Sequence, residues 1–208
     1  MLGGIPLIAY SVRSALEASL ISDIAVSSDC QDILDVASVA GAHHVILRPE
    51  ALAQDSTPTL PVIFHALDVL AADGHQYDAV CLLQPTTPFR PSGFIDVCVE
   101  RFIHSKADSL ISVLPVPHEY NPHWTFEPGP DGLLKIATGE EQIIPRRQEL
   151  PPAYFRDGSI YITSVSVLQQ QKSLYGKSVA YIQSDASRYV NIDTMEDWQK
   201  AENMLCVV

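Results

Sequence analysis

The sequence predicts an α/β fold: a doubly wound, mostly parallel sheet with one small excursion out of it. Short apolar runs of strand length alternate with stretches whose apolar residues recur at helical spacing, the pattern of βαβ units. Polar clusters stand where the apolar runs stop, which is where an open sheet binds ligands. From about residue 115 to 152 the period is lost, and prolines, glycines and aromatics take over.

Pro6 suits the first turn of a helix, and Ile8, Val12, Ala15, Leu16 and Leu20 fall on one face of it. Ile24-Ala25-Val26 is a brief strand. Asp29 with Asp32 resembles a capping arrangement for a helix that carries Ile33, Val36, Ala37 and Ala40 on one side and ends at Gly41. His44 to Leu47 is the next strand, with Arg48 at its carboxyl end. Arg48 to Thr57 is polar and lacks a period. A helix then starts near Ser56 to Thr59, carries Leu60, Ile63, Phe64, Leu67 and Leu70 inward, and stops near Gly74.

Ala79 to Leu83 are five apolar residues in a row, too few for a helix and suited to a strand buried on both faces. Pro85, Pro88 and Pro91 then forbid strand pairing and a helix interior. Gln84, Thr86, Thr87 and Arg90 therefore sit on a stiffened loop, which reads equally as a binding platform or as a turn covering a sheet edge. Ser92 to Ser105 is a helix with Ile95, Cys98, Val99, Phe102 and Ile103 on its apolar side, and Ser109 to Leu114 is a strand ended by Pro115 and Pro117. After the excursion come a strand at Gly158 to Ile162, a short helix from Ser164, a strand at Val179 to Ile182, and a last strand at Tyr189 to Asp193. Thr194-x-x-Asp197 is a capping box, opening a helix with Trp198, Ala201 and Leu205. The whole, residues 1–208, reads as one domain with residues 115–152 inserted.

The 208 residues can bury a sizeable core, and 47% hydrophobic with 18% charged residues describes an ordinary folded, soluble protein. Thirteen basic against 25 acidic residues give a net charge of −12, which argues against a general binder of nucleic acid or membrane surface. A small anionic ligand stays compatible, because a few arginines or a metal reverse the field inside one cleft. The cysteines Cys30, Cys81, Cys98 and Cys206 are scattered, lack zinc-ligand spacing, and suit a reducing cytoplasm.

Polar clusters lie at four predicted strand ends: Arg48 with Gln54 to Thr59, Gln84 to Arg90, Arg146 to Arg156, and Asn191 to Asp197. Arginine suits bidentate recognition of carboxylate or phosphate. Asp193 reads either as a ligand holding a divalent metal against phosphates or as a helix cap. His43, His65, His75 and His104 lie on or beside helices without partner spacing and read as surface or packing residues. His118 and His123 fall in the irregular excursion.

Several blocks recur in a familiar order: Leu47-Arg48-Pro49 with Leu52-Ala53-x-Asp55, Leu82-Leu83-Gln84-Pro85-Thr86-x-Pro88-x-Arg90, Arg147-Gln148-x-Leu150-Pro151, Gly158-x-Ile160-Tyr161, and Ile192-Asp193-Thr194-x-x-Asp197. The series resembles the acylneuraminate cytidylyltransferases, the CMP-nonulosonate synthetases. The resemblance implies a nucleotide-diphospho-sugar-transferase-like sheet and a reaction that joins CTP to a nonulosonic, sialic-type acid with Mg²⁺. By position it implies that Gln84 contacts the sugar, that Thr59 lies beside sugar or phosphate, and that Arg147 meets the sugar carboxylate. It places Arg48, Asp55, Thr86, Arg90 and Gln148 in contact with substrate as well. It implies that Asp193 and Asn191 are the metal ligands and that Asp193 and Arg147 are the catalytic residues. It further implies a homodimer formed through the excursion.

Three departures accompany the matches. The family opens with a strand and a loop rich in Arg, Gly, Ser and Lys that cradles the nucleotide, whereas Leu2-Gly3-Gly4-Ile5-Pro6 resembles the family's segment just after that loop. Asn191 stands where the family has Asp, and Asp157 where an Asn commonly precedes the glycine. The expectation is an impaired enzyme, with very weak or no cytidylyltransferase activity because CTP and Mg²⁺ binding are weakened, and with sugar binding retained. The rival readings are a sugar-binding or regulatory member without catalysis, and a nucleotidyltransferase acting on a different sugar.

Overall fold

The structure, a computed structural model, describes residues 1–205, so Cys206 lies outside the described residues. Helices and strands follow in the order α1 (Leu7–Leu16), β1 (Ala25–Ser28), α2 (Gln31–Ala40), β2 (His44–Leu47), α3 (Thr59–Ala72), β3 (Ala79–Leu82), α4 (Phe94–Ser105), β4 (Ser109–Pro115), β5 (Phe126–Pro128), β6 (Leu134–Ile136), β7 (Tyr154–Ser164), α5 (Val165–Gln171), β8 (Val179–Gln183) and α6 (Met195–Leu205). β1 and β2 form a parallel pair. The larger sheet has the order β3-β7-β4-β8, and β5-β6 is a small hairpin in the excursion.

The α/β class stands, and its sheet is mixed. β7 runs antiparallel to both β3 and β4, while β4 and β8 are parallel. The reason is the connection. A parallel neighbour needs a crossover, usually a helix over the sheet, but β4 reaches β7 through the excursion, which leaves and returns at one edge.

β7 is buried on both faces from Ile160 to Thr163. Ile160 and Ile162 join Ile95 and Cys98 of α4 and Leu110 of β4 in one core cluster. Tyr161 and Thr163 point the other way, where Tyr161 meets Tyr175 edge-on and the Thr163 hydroxyl donates to Leu174 O. Both faces of the sheet are thus covered. A second cluster joins Val12 of α1, Val26 of β1, and Leu34 and Ala37 of α2. A third joins Leu2 to Val190 and to Ala201 of α6, so the first residues pack on the last helix.

Some expected contacts differ. Leu16 and Leu20 are exposed, because α1 stops at Leu16 and the chain turns away. The Asp96 carboxylate holds that turn by accepting from Ser19 N and Leu20 N, each at 2.9 Å. In α2 the inward residues are Leu34 and Ala37 while Ile33 is exposed, a stripe turned by one residue. Its N-cap is Cys30, with no side-chain cap, and neither Asp29 nor Asp32 performs that role. Ile103 is exposed on α4. Tyr189 to Asp193 forms no strand; its link to the sheet region is one bond from Ile192 N to Thr86 O, 2.9 Å. The capping box holds, with Asp197 accepting from Thr194 N at 2.9 Å and donating its own N–H to Thr194 Oγ1 at 3.2 Å. Burial pushes the Cys81 thiol up to about 12 and raises that of Cys98, while Cys30 is exposed. Among the described residues, no helix is long and apolar enough to cross a membrane.

Two loop-fixing carboxylates give a pH dependence. Backbone N–H donors from Ser19 and Leu20 lower the pKa of Asp96, and the Lys177 N–H does so first for Asp108. A lowered folded pKa adds stability that is present above the unfolded value of about 3.9 and is lost as the pH falls through the folded values below it. Urea midpoints are therefore expected to fall only below about pH 4 from these groups. An Asp96→Asn, Asp108→Asn double variant is expected to be less stable at pH 7 and to show a shallower acid dependence in the same titration.

Candidate active site

The site begins where β3 ends. After Leu82 the proline-stiffened loop turns back on itself, and its backbone is fixed by two buried side chains. Thr87 Oγ1 lies 3.1 Å from Gln84 O and 3.0 Å from Gly158 O. The Arg90 guanidinium donates to Gln84 O (2.7 Å), Ser159 O (2.8 Å), Ser11 Oγ (3.1 Å) and Thr87 Oγ1 (3.2 Å). Arg90 is 8% exposed. Burial pulls its pKa down to about 10, partly offset by Cys81 and by the Asp157 carboxylate, so it stays charged at neutral pH. Through these four bonds Arg90 ties the loop to α1 and β7, and it also lines the cleft between α1 and α6.

The second part is a bulge in β7. Ile111 pairs with Tyr161, yet Val113 pairs with Arg156, so two steps along β4 face five along β7. The surplus residues include Asp157, Gly158 and Ser159, and Ser112 of β4 fills the gap. Ser112 Oγ accepts from Ile160 N at 2.8 Å and donates to Asp157 Oδ1. Asp157 Oδ1 also accepts from Ser159 N at 3.0 Å. Bulges of this kind re-aim backbone beside sites. Here the turn places Gly158 at φ +81°, and a Cβ on it would stand 2.7 Å from Gln84 Oε1 and 3.3 Å from Thr87 Cγ2. Only glycine lets the Gln84 side chain lie against this backbone. Sequence reasoning misses Ser112 and Ser159, because a serine in an apolar strand carries no signal of that role.

Acidic groups gather next to the loop. The bond from Ile192 N to Thr86 O brings Asn191 and Asp193 beside Thr86. Asp193 is exposed, and the Asn191 amide nitrogen donates to its Oδ2. Asn191 thus contacts the Asp193 carboxylate through its amide nitrogen. Burial first, then Asp157, Asp193 and Asp197, raise the pKa of Tyr189, which marks the region as electronegative. Asp157 Oδ2 and Ser184 Oγ are buried without a protein partner. Both line a cavity of about 10 Å³, the room of a single water. The donors fit Mg²⁺ in its usual mode, one or two carboxylates with substrate phosphates and water: Asp193 supplies a hard, exposed oxygen.

The remaining expected residues lie in two other places. Arg48 follows β2, where Nη2 donates to Ser27 O (2.7 Å) and Nε to Ser27 Oγ (3.3 Å). Asp55 is exposed in the next turn, and Thr59 is the first residue of α3. Arg147 and Gln148 are exposed on a 3-10 turn of the excursion, and the structure does not bring them to Gln84. A cleft of about 1190 Å³ opens behind Pro88 to Arg90, between α1 and α6, lined by Arg13, Arg188 and Lys200 among others.

A rigid loop at a strand's carboxyl end with a carboxylate beside it is where an open α/β sheet binds ligands. The fold is shared with solved proteins. A CMP:2-keto-3-deoxy-manno-octonic acid synthetase solved with CTP superposes over 100% of this chain and 90% of its own, with a TM-score of 0.69 at 12% identity. Sequence relatives include the CMP-N,N'-diacetyllegionaminic acid synthase of Legionella pneumophila, 33% identical over 99% of this chain and 87% of that protein. The pseudaminic acid cytidylyltransferase of Campylobacter jejuni is 26% identical over 96% of this chain and 84% of that protein. Residues 1–175 match the cytidylyltransferase family model. The chain belongs to the cytidylyltransferase family, and its type is that of the CMP-nonulosonate synthetases.

Gly158→Ala tests the bulge. The substitution adds about 1–2 kcal/mol of left-handed backbone strain and drives Gln84 from its position. We expect a lower melting temperature and weaker sugar binding by calorimetry.

Proposed function

We propose that this protein transfers CMP from CTP to a nonulosonic acid, releasing pyrophosphate, and that it works in the cytoplasm as a homodimer. The observation that carries the reading is the meeting of the Gln84 loop, the Gly158 bulge and Asp193 at one edge, within a family of nucleotidyltransferases. In the reaction the sugar's anomeric oxygen forms a bond to the α-phosphorus, the bond to the departing pyrophosphate breaks, and the hydroxyl proton is lost. Catalysis of such transfers is mostly positioning and charge neutralisation.

Gln84, braced against Gly158, would orient the sugar. Arg48 and Thr59 stand at the neighbouring strand end and helix start for phosphate or sugar oxygens, with Asp55 in the turn between them. Thr86 presents backbone and hydroxyl beside the acids. Asp193 would hold Mg²⁺, whose positive charge when bound offsets the carboxylates around Tyr189 and the triphosphate. Asn191, donating to Asp193, fixes how that carboxylate points.

Arg147 and Gln148 sit on the excursion, which is a small folded unit: Trp124 Nε1 donates to Ile144 O (2.8 Å) and Asn121 Nδ2 to Pro151 O (3.0 Å). Its surface shows Tyr120, Phe126, Leu133, Leu134 and Ile143 to solvent. A second copy covers that surface and brings Arg147 to the sugar carboxylate of its neighbour's site. The rival reading, sugar binding without transfer, draws on Asn191 in place of a second acid.

Pyrophosphate release with CTP, Mg²⁺ and a panel of nonulosonic acids is the direct assay, with calorimetry for CTP and sugar added separately; sugar binding with no turnover favours the rival. Arg147→Ala removes a charged hydrogen bond of about 1.5–3 kcal/mol, so sugar affinity should fall roughly ten- to a hundredfold in a folded variant. Light scattering is expected to give a dimer, and replacing Pro117–Pro145 with a short linker a monomer. A monomeric intact protein would remove the partner from the site.

A further inference from the structure

We propose that Asp23, His44 and His75 form a binding site for a zinc-class divalent ion at the amino ends of the strands, away from the candidate active site. Asp23 precedes β1, His44 begins β2, and His75 lies between α3 and β3. Arg48 and Gln84 follow the opposite, carboxyl ends of β2 and β3. The three side chains each offer one ligand atom, and these atoms all lie within 4.8 Å of one another.

The Asp23–His44 spacing suits a metal better than a hydrogen bond. His44 Nε2 is 3.5 Å from Asp23 Oδ1, and that buried nitrogen has no hydrogen-bond partner. Two ligands on a tetrahedral zinc, each about 2.1 Å from it, stand roughly 3.4 Å apart. The carboxylate is already oriented: Asp23 Oδ2 accepts from the Tyr77 hydroxyl at 3.0 Å, which leaves Oδ1 for the histidines. Such outer partners fix the direction of first ligands.

The rings are held as well. His75 meets His44 edge-on with centroids 4.7 Å apart and lies parallel to Tyr77 at 6.3 Å. His43 Nδ1 is also close to Asp23 Oδ1, at 3.2 Å, but it accepts from Ile24 N at 3.2 Å. Its lone pair is spent on the backbone, so it stays outside the donor set. Two imidazoles and one carboxylate favour zinc, cobalt or nickel over magnesium or calcium. Asp23 and His44 side chains keep 30% and 21% of their exposure, which admits water at the fourth position.

The placement gives the ion a task. β1-β2 and the β3-containing sheet share no ladder, and the site joins a residue before β1 and one beginning β2 to one before β3. It is a clamp between the two sheets, independent of the reaction proposed above.

The test uses the full chain in a Cys30→Ser background, so that the exposed thiol takes no part, dialysed against chelator and free of Mg²⁺. Titration with ZnCl₂ by calorimetry, with metal analysis after gel filtration, is expected to give one equivalent per chain and a raised melting temperature. His44→Ala and His75→Ala should each weaken that equivalent more than a hundredfold. Tyr77→Phe should weaken it about ten- to a hundredfold. Cobalt should give the visible spectrum of a tetrahedral site in the parent and lose it in His75→Ala. If His44→Ala fails to fold, His75→Gln and the cobalt spectrum carry the comparison. No stoichiometric zinc in the parent, or an equivalent that survives in both histidine variants, would overturn the site and leave His44 and Asp23 a metal-free pair.

Discussion

A guanidinium withdrawn from water must be met by acceptors on nearly every side, since an unmet buried charge is among the most destabilising things a fold can contain. Arg90 satisfies that demand with four acceptors on three separate pieces of chain: Ser11 in α1, Gln84 and Thr87 in its own loop, and Ser159 in β7. The proline loop has no ladder of its own. Its shape is the shape those acceptors require. The bulge in β7 is held from the other side by Ser112, so two polar anchors, one charged and one neutral, fix backbone that regular hydrogen bonding would leave free. Gln84 and Gly158 then meet because their neighbours on each side are immobilised.

The charges of the site divide into an inner and an outer set. Arg90 and Asp157 are buried and act on backbone geometry. Asp193 and Arg147 are exposed and have no partner of opposite charge among the described residues, although Arg147 lies on the excursion, away from Gln84. In a chain of net charge −12, a polyanion is best met by charge placed locally.

Much of this was legible in the sequence, for identifiable reasons. Four-residue strands such as His44 to Leu47 stand out because a strand end there coincides with a change from apolar to polar. Gly41 at φ +106° ends α2 as a glycine after a helical stripe should. The direction of β7 was not legible: Gly158 to Ile162 is apolar in either sense, and only the route through the excursion sets it. The fate of Arg90 was hidden for a similar reason. An arginine on a strand-end loop looks the same whether it faces solvent or Ser11, 79 residues away. Tyr189 to Asp193 has strand-like residues but joins no ladder, and Val190 is buried against Leu2 and Ala201 instead. His44 and His75 show no spacing because their meeting depends on how the amino ends of two separate sheets come together.

The excursion leaves the sheet and re-enters it through a neck one residue pair wide, where Val116 N meets Ala153 O at 2.9 Å beside the Pro115–Tyr154 pair. Seen from β4 and β7, everything between is a detour that returns to its point of departure. Lengthening such a detour costs only logarithmically in closure entropy, and nothing in the register of the sheet records what the detour contains. The segment is therefore a socket in the evolutionary sense: a lineage can rewrite its tip, and with it the surface shown to other molecules, while the frame inherits no strain. A nick at its tip would likewise leave two fragments whose ends are already side by side.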